Sequence, residues 1–74
     1  MGSFNGLFST LMESRASSFL MVHNHPSGSV MPSKADLFFT WKVSSRCIDL
    51  GIDLIDHFIV ADRSLLSMRR AGLL

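Results

Sequence analysis

Cys47 is the only cysteine in this 74-residue chain, so no disulfide within it can staple the fold. The constraint is severe at this size. A domain of about 60 residues buries only about 60% of the surface its unfolded chain exposes. Without disulfides, such a fold depends on a dense core, a metal or a partner. A lone cysteine also fits a reducing, cytoplasmic setting. Cys47 itself reads as a small buried hydrophobe on a helix.

The chain has the material for a core. Hydrophobic residues make up 47% of it, which excludes a disordered segment. No apolar run reaches the roughly 18 residues of a membrane span. The N-terminus lacks the charged-then-apolar layout of a secretory signal. The net charge of +1 is far from the basic footprint of a DNA-binding domain, so DNA is not an expected partner on charge. Arg63, Arg69 and Arg70 form a mild basic cluster that reads as a solvated face or tail.

Periodicity divides the chain. Phe4, Leu7, Phe8, Leu11 and Met12 recur at helical spacing, which predicts a helix from about Phe4 to Arg15. Phe19-Leu20-Met21-Val22 is a short continuous apolar run ending in His23, suited to a strand buried on both faces. Asn24 through Pro32 is a loop by composition. Ser33 is placed to cap a helix that runs to about Leu50 and stops at Gly51. Leu54 to Ala61 reads as a second strand, and Asp62-Arg63-Ser64 as a turn. Leu65 to Leu74 reads as a short final helix. This alternation predicts a sheet covered by helices.

The chemistry gathers around the loop. In a strand, alternate residues face one side, so His23 and His25 present two imidazoles about 6.5 Å apart at their backbones. A bare His-x-His is common by chance. Asp36 adds weight. On a helix wheel, Lys42, Ser45, Arg46 and Asp49 form the solvent side, whereas Asp36, Thr40 and Ser44 face the core between Phe39, Val43, Cys47 and Leu50 on one edge and Leu37, Trp41 and Ile48 on the other. A carboxylate turned inward needs a cation or good hydrogen bonds. One reading is that Asp36 only caps backbone amides in the first helical turn. The preferred one is a metal site, because two histidines and a carboxylate leave tetrahedral zinc one open position, the catalytic pattern. Ten residues separate His25 from Asp36, stiffened by Pro26 and Pro32 and turned at Gly28. Such a donor set also accepts other divalent ions.

Asp56 and His57 lie within the second strand. They read as a buried polar pair satisfied by hydrogen bonds, or as groups that orient a ligand histidine or the metal loop. Phe38 falls near the solvent side. Trp41, Phe39 and the scattered Met12, Met21, Met31 and Met68 read as core filling.

His23-Asn24-His25-Pro26-Ser27-Gly28, then Pro32-Ser33, then Asp36, resembles the signature of RadC-like proteins among the JAMM (JAB/MPN+) metallopeptidases. Leu54-Ile55-Asp56-His57-Phe58-Ile59-Val60 resembles the Asp-His strand of that family, and Ser67 to Leu74 its C-terminal segment. The resemblance runs from about residue 7 onward. It implies an α/β fold, a mixed sheet flanked by helices of the cytidine-deaminase-like JAB/MPN type. It also implies one zinc ion held by His23, His25 and Asp36, with Ser33 as the serine that helps stabilise the oxyanion. The implied activity is hydrolysis of a peptide or isopeptide bond in a peptide or protein substrate. The family's general base is a glutamate on an early strand. The only glutamate here, Glu13, falls on the predicted first helix and reads as a helix-surface residue. Residues 1–74 are thus expected to form a single partial domain, lacking the family's first two strands and its base. An open sheet edge on such a domain favours a homodimer. The alternatives to an active hydrolase are a metal-binding remnant that serves as an interaction module, or a DNA-repair accessory suggested by the family name.

Overall fold

A computed structural model describes Arg15 and residues 17–74. Glu13 and the rest of the predicted first helix lie outside the described residues. Four elements follow: β1 (Ser18–Asn24), α1 (Lys34–Leu50), β2 (Asp53–Ala61) and β3 (Ser64–Ser67). They form one three-stranded mixed sheet in the order β1-β2-β3, with β1 parallel and β3 antiparallel to β2.

Helix α1 starts and stops where its sequence says it must. Ser33 is the N-cap, with its side chain accepting from the Asp36 backbone N–H at 3.0 Å. The Asp36 carboxylate returns the favour to the Ser33 N–H at 2.9 Å, completing a capping box. At the other end Gly51 takes a left-handed φ of 69°. Gly51 N–H then bonds to Ile48 O and Ile52 N–H to Cys47 O, the double closure of a Schellman turn.

The helix buries a narrow stripe, namely Asp36, Thr40, Val43 and Cys47. Val43 and Cys47 join Ile52 and Leu54 in the core, with Phe19 and Met21 of β1 and Phe39 packed against it. The wide apolar arc expected of the helix is only partly buried. Trp41, expected in the core, is 53% exposed, its indole N–H donating to Leu73 O. Ile48 and Met31 are also exposed, whereas Phe38 is on the solvent side as expected.

Strand β2 carries a bulge. Phe19 pairs with Leu54 but Leu20 pairs with Asp56, so Ile55 is an extra residue. The inside-outside alternation shifts there. Leu54 and His57, three apart, are both buried, and Asp56 between them is buried as well. The Arg69 guanidinium donates to the Leu54 and Ile55 carbonyls, at 2.8 and 2.6 Å. Arg69 is therefore a brace rather than part of a solvated tail.

The predicted final helix is corrected. Leu65 and Leu66 belong to β3, which pairs with Phe58–Ala61 after the two-residue turn Asp62-Arg63. Asp62 takes a φ of 51°, which aspartate tolerates. Helical character survives only as the turn after Ser67, where Ala71 N–H bonds to Ser67 O and Leu73 N–H to Met68 O. An available strand partner overrode local propensity.

Candidate metal centre

The parallel strand pair and the intervening helix bring the end of β1 to the start of α1. The β1–β2 ladder continues past the strand, with His25 N–H donating to Val60 O at 2.8 Å. His23 shares the inward side of β1 with Phe19 and Met21, each of these being half-buried while Leu20, Val22 and Asn24 are exposed. Asp36, in the first turn of α1, faces the same place.

The three side chains meet. One donor atom each from His23, His25 and Asp36 lies within 4.8 Å of the other two. Asp36 is 6% exposed. Its Oδ2 lies 2.8 Å from His25 Nε2 and its Oδ1 lies 3.3 Å from His23 Nδ1. The two histidine rings meet edge to face, with centroids 4.6 Å apart. Burial pushes the Asp36 carboxyl up. The Ser33 backbone and side chain, His25 and the nearby His23 outweigh this and hold it below the ordinary carboxylate value. Asp36 is thus a helix cap that also lies against both histidines.

The acceptors around this cluster constrain where its protons sit, and its donor set suits a cation. His25 Nδ1 lies 2.9 Å from the Ser29 carbonyl, which can only accept. The ring must therefore carry its proton on Nδ1, and in the neutral form its Nε2 lone pair faces a carboxylate oxygen. That contact is attractive only with a proton or a metal ion between the two atoms. His23 Nδ1 is buried near the carboxylate but has no aligned hydrogen-bond partner. A histidine whose second ring nitrogen donates to a backbone carbonyl is the usual support for a metal-ligating imidazole. Two imidazoles, a carboxylate and an orphaned buried nitrogen fit a borderline-soft divalent cation such as zinc.

Ser33 sits at the helix N-cap beside this cluster. Accepting from Asp36 N–H leaves its hydroxyl proton free to donate elsewhere. Asp56 is satisfied by His57 N–H, Arg69 N–H and the Ser67 hydroxyl, in a contact with each. Burial raises its pKa, but these donors, led by Ser67, pull it below the ordinary value. Asp56 therefore ties the C-terminal turn to β2, which is the structural reading. His57 is fully buried against Thr40 and stacks loosely on His23. Its burial lowers its pKa. Cys47 is buried, and burial raises its thiol pKa. Sequence reasoning missed the Ser29 carbonyl, because backbone acceptors leave no residue-type signal. It also missed the Thr40–His57 bond, although Thr40 lies one turn beyond Asp36 on the inward face.

A parallel β-α-β unit with two histidines and a carboxylate at its strand-to-helix junction defines a small α/β domain with a metal-type site. The profile of the RadC-like JAB domain matches residues 3–73, and the chain belongs to that family. It is similar to a UPF0758 protein of Staphylococcus aureus (strain bovine RF122 / ET3-1), 41% identical over 66 residues, covering 89% of this chain and 29% of the relative. A UPF0758 protein of Streptococcus suis (strain 98HAH33) is 50% identical over 54 residues, covering 73% of this chain and 22% of that protein. The chain thus spans less than a third of the length of these relatives.

Proposed function

We propose that this domain is a zinc-dependent hydrolase of the JAMM type that acts on a peptide or isopeptide bond. The observation that carries the reading is the meeting of His23, His25 and Asp36, with donor atoms within 4.8 Å and His25 oriented by Ser29. These three residues would hold the ion. Zinc, when bound in such a site, supplies Lewis acidity toward a carbonyl and toward water. The chain's own part is positional. Asp36 keeps its negative charge next to the helix N-terminus, and Ser33 offers a hydroxyl proton toward a developing oxyanion. Peptide or protein substrates suit this chemistry. Among the described residues no helix is long and apolar enough to cross a membrane. The single, buried Cys47 supports a cytoplasmic site of action.

Two measurements test the reading. Atomic absorption on the purified chain should find one zinc per chain, lost in His23→Ala, His25→Ala and Asp36→Ala. A fluorogenic isopeptide substrate should be cleaved by the zinc-loaded chain once it is extended at its N-terminus to supply the family's glutamate, and not by the Asp36→Ala version of that extended chain. Negligible zinc on an intact fold would reject the proposal.

A second reading, a metal-binding interaction module, draws on the surface. Leu20 and Val22, on the side of β1 away from the core, are 52% and 69% exposed, and no described strand pairs with the outer edge of β1. Pairing of that edge with a second copy is part of this reading. Zinc binding without cleavage, even by an N-terminally extended chain, would favour it.

A further inference from the structure

We infer that Thr40 and His57 are positioning residues for the metal centre: the Thr40 hydroxyl locks the His57 ring in one tautomer, and the locked ring holds ligand His23 in place. The inference rests on the metal-site reading above and adds two residues to it.

Thr40 Oγ1 has one proton and several neighbours. It lies 2.7 Å from Asp36 O, 2.6 Å from His57 Nδ1 and 3.8 Å from Met68 Sδ. A carbonyl oxygen can only accept, so the contact to Asp36 O consumes the hydroxyl proton. The contact to His57 is then satisfied only if Nδ1 carries a proton and donates to Thr40. The reverse assignment would leave two oxygens 2.7 Å apart with no proton between them. His57 is therefore the Nδ1–H tautomer, and its buried Nε2, which has no partner, carries the lone pair.

The locked ring cannot rotate without breaking the bond to Thr40. Thr40 and His57 are each 0% exposed, and so is Met68, which packs on Thr40. Met68 N–H also holds the His57 carbonyl at 3.0 Å. The His57 ring lies within 25° of parallel to His23, with centroids 6.2 Å apart, inside the range of offset-stacked pairs. On another side His23 meets His25 edge to face. His23 thus lies between two rings, one of them pinned to α1 through Thr40. The run Asp36–Thr40–His57–His23 ties together the three elements around the site.

Removing support of this kind typically weakens metal binding by 10–100-fold. The test uses the full chain with zinc and cobalt(II) as probes. The wild type is compared with two variants of position 40: Thr40→Ser, which keeps the hydroxyl, and Thr40→Val, which keeps the shape. Nitrogen NMR of the imidazoles reports the His57 tautomer without metal. Chelator competition gives the zinc affinity, and the cobalt absorption spectrum reports coordination geometry. Wild type and Thr40→Ser should show Nδ1–H at His57 and equal affinity. Thr40→Val should lose that signature, bind zinc about 10–100-fold more weakly and shift the cobalt spectrum. A Thr40→Val chain that is less stable but unchanged in affinity and spectrum would overturn the inference. So would an Nε2–H tautomer in the wild type, which decides the matter even if Thr40→Val does not fold. No zinc binding by the wild type would instead overturn the metal-site reading, and this role with it.

Discussion

Replacing Asp36 separates its two jobs. In metal-free protein Asp36→Ala removes the acceptor for Ser33 N–H, a box contact worth about 1 kcal/mol. It removes a negative charge from the first helical turn, about 0.3–1 kcal/mol. These sum to roughly 1–2 kcal/mol, from which the relief of burying a carboxylate is subtracted. The carboxyl's lowered pKa says that the attractive contacts exceed that burial, so the sign is destabilising. Against the ~4–11 kcal/mol expected of a domain this size, a loss of about 1 kcal/mol is visible. Asp36→Asn keeps an oxygen for Ser33 N–H and should lose less. Zinc at 100 times its Kd should stabilise the wild type by about 2.7 kcal/mol. It should stabilise Asp36→Ala not at all. Urea unfolding followed by helical circular dichroism, with and without zinc, measures all of this. An equal zinc effect in wild type and Asp36→Ala would refute the assignment of Asp36 as a ligand. Equal metal-free stability of Asp36→Asn and Asp36→Ala would refute the cap.

Three further outcomes follow from the geometry. Asp56 has a folded pKa below its ordinary 3.8, so the stability it contributes is full above about pH 3.8 and falls as pH drops through the folded value; Asp56→Asn should flatten that acid limb in pH-dependent melts. An unchanged acid limb would show that the Ser67 and Arg69 contacts do not hold the carboxylate. Gly51→Ala meets no neighbour within 4 Å but must hold a φ of 69°, so it should cost about 1 kcal/mol, or ~4–8 °C in Tm; an unshifted melt would count against the Schellman closure. Light scattering after size exclusion should find concentration-dependent dimers, reduced by Val22→Lys; a monomer at every concentration would dismiss edge pairing.

Local chemistry was enough to place much of this molecule. Ser33, Asp36 and Gly51 mark the ends of α1 because caps depend on a few adjacent residues and backbone angles. His23 and His25 could be put on one side of a strand, and Asp36 inward on a helix, because side-chain periodicity follows from covalent geometry. Whether the three met was a question of how β1 packs on β2 and how α1 crosses back, and only the tertiary structure answers it. The same holds for β3, which became a strand because β2 offered a ladder, against its own helical pattern. Trp41 is half exposed, because burial depends on what packs against α1 and not on the helix's own pattern. Ile55 shifted the phase of β2 because a bulge depends on the partner strand. Long-range pairing decides each of these, and no single segment carries its partner's register within itself.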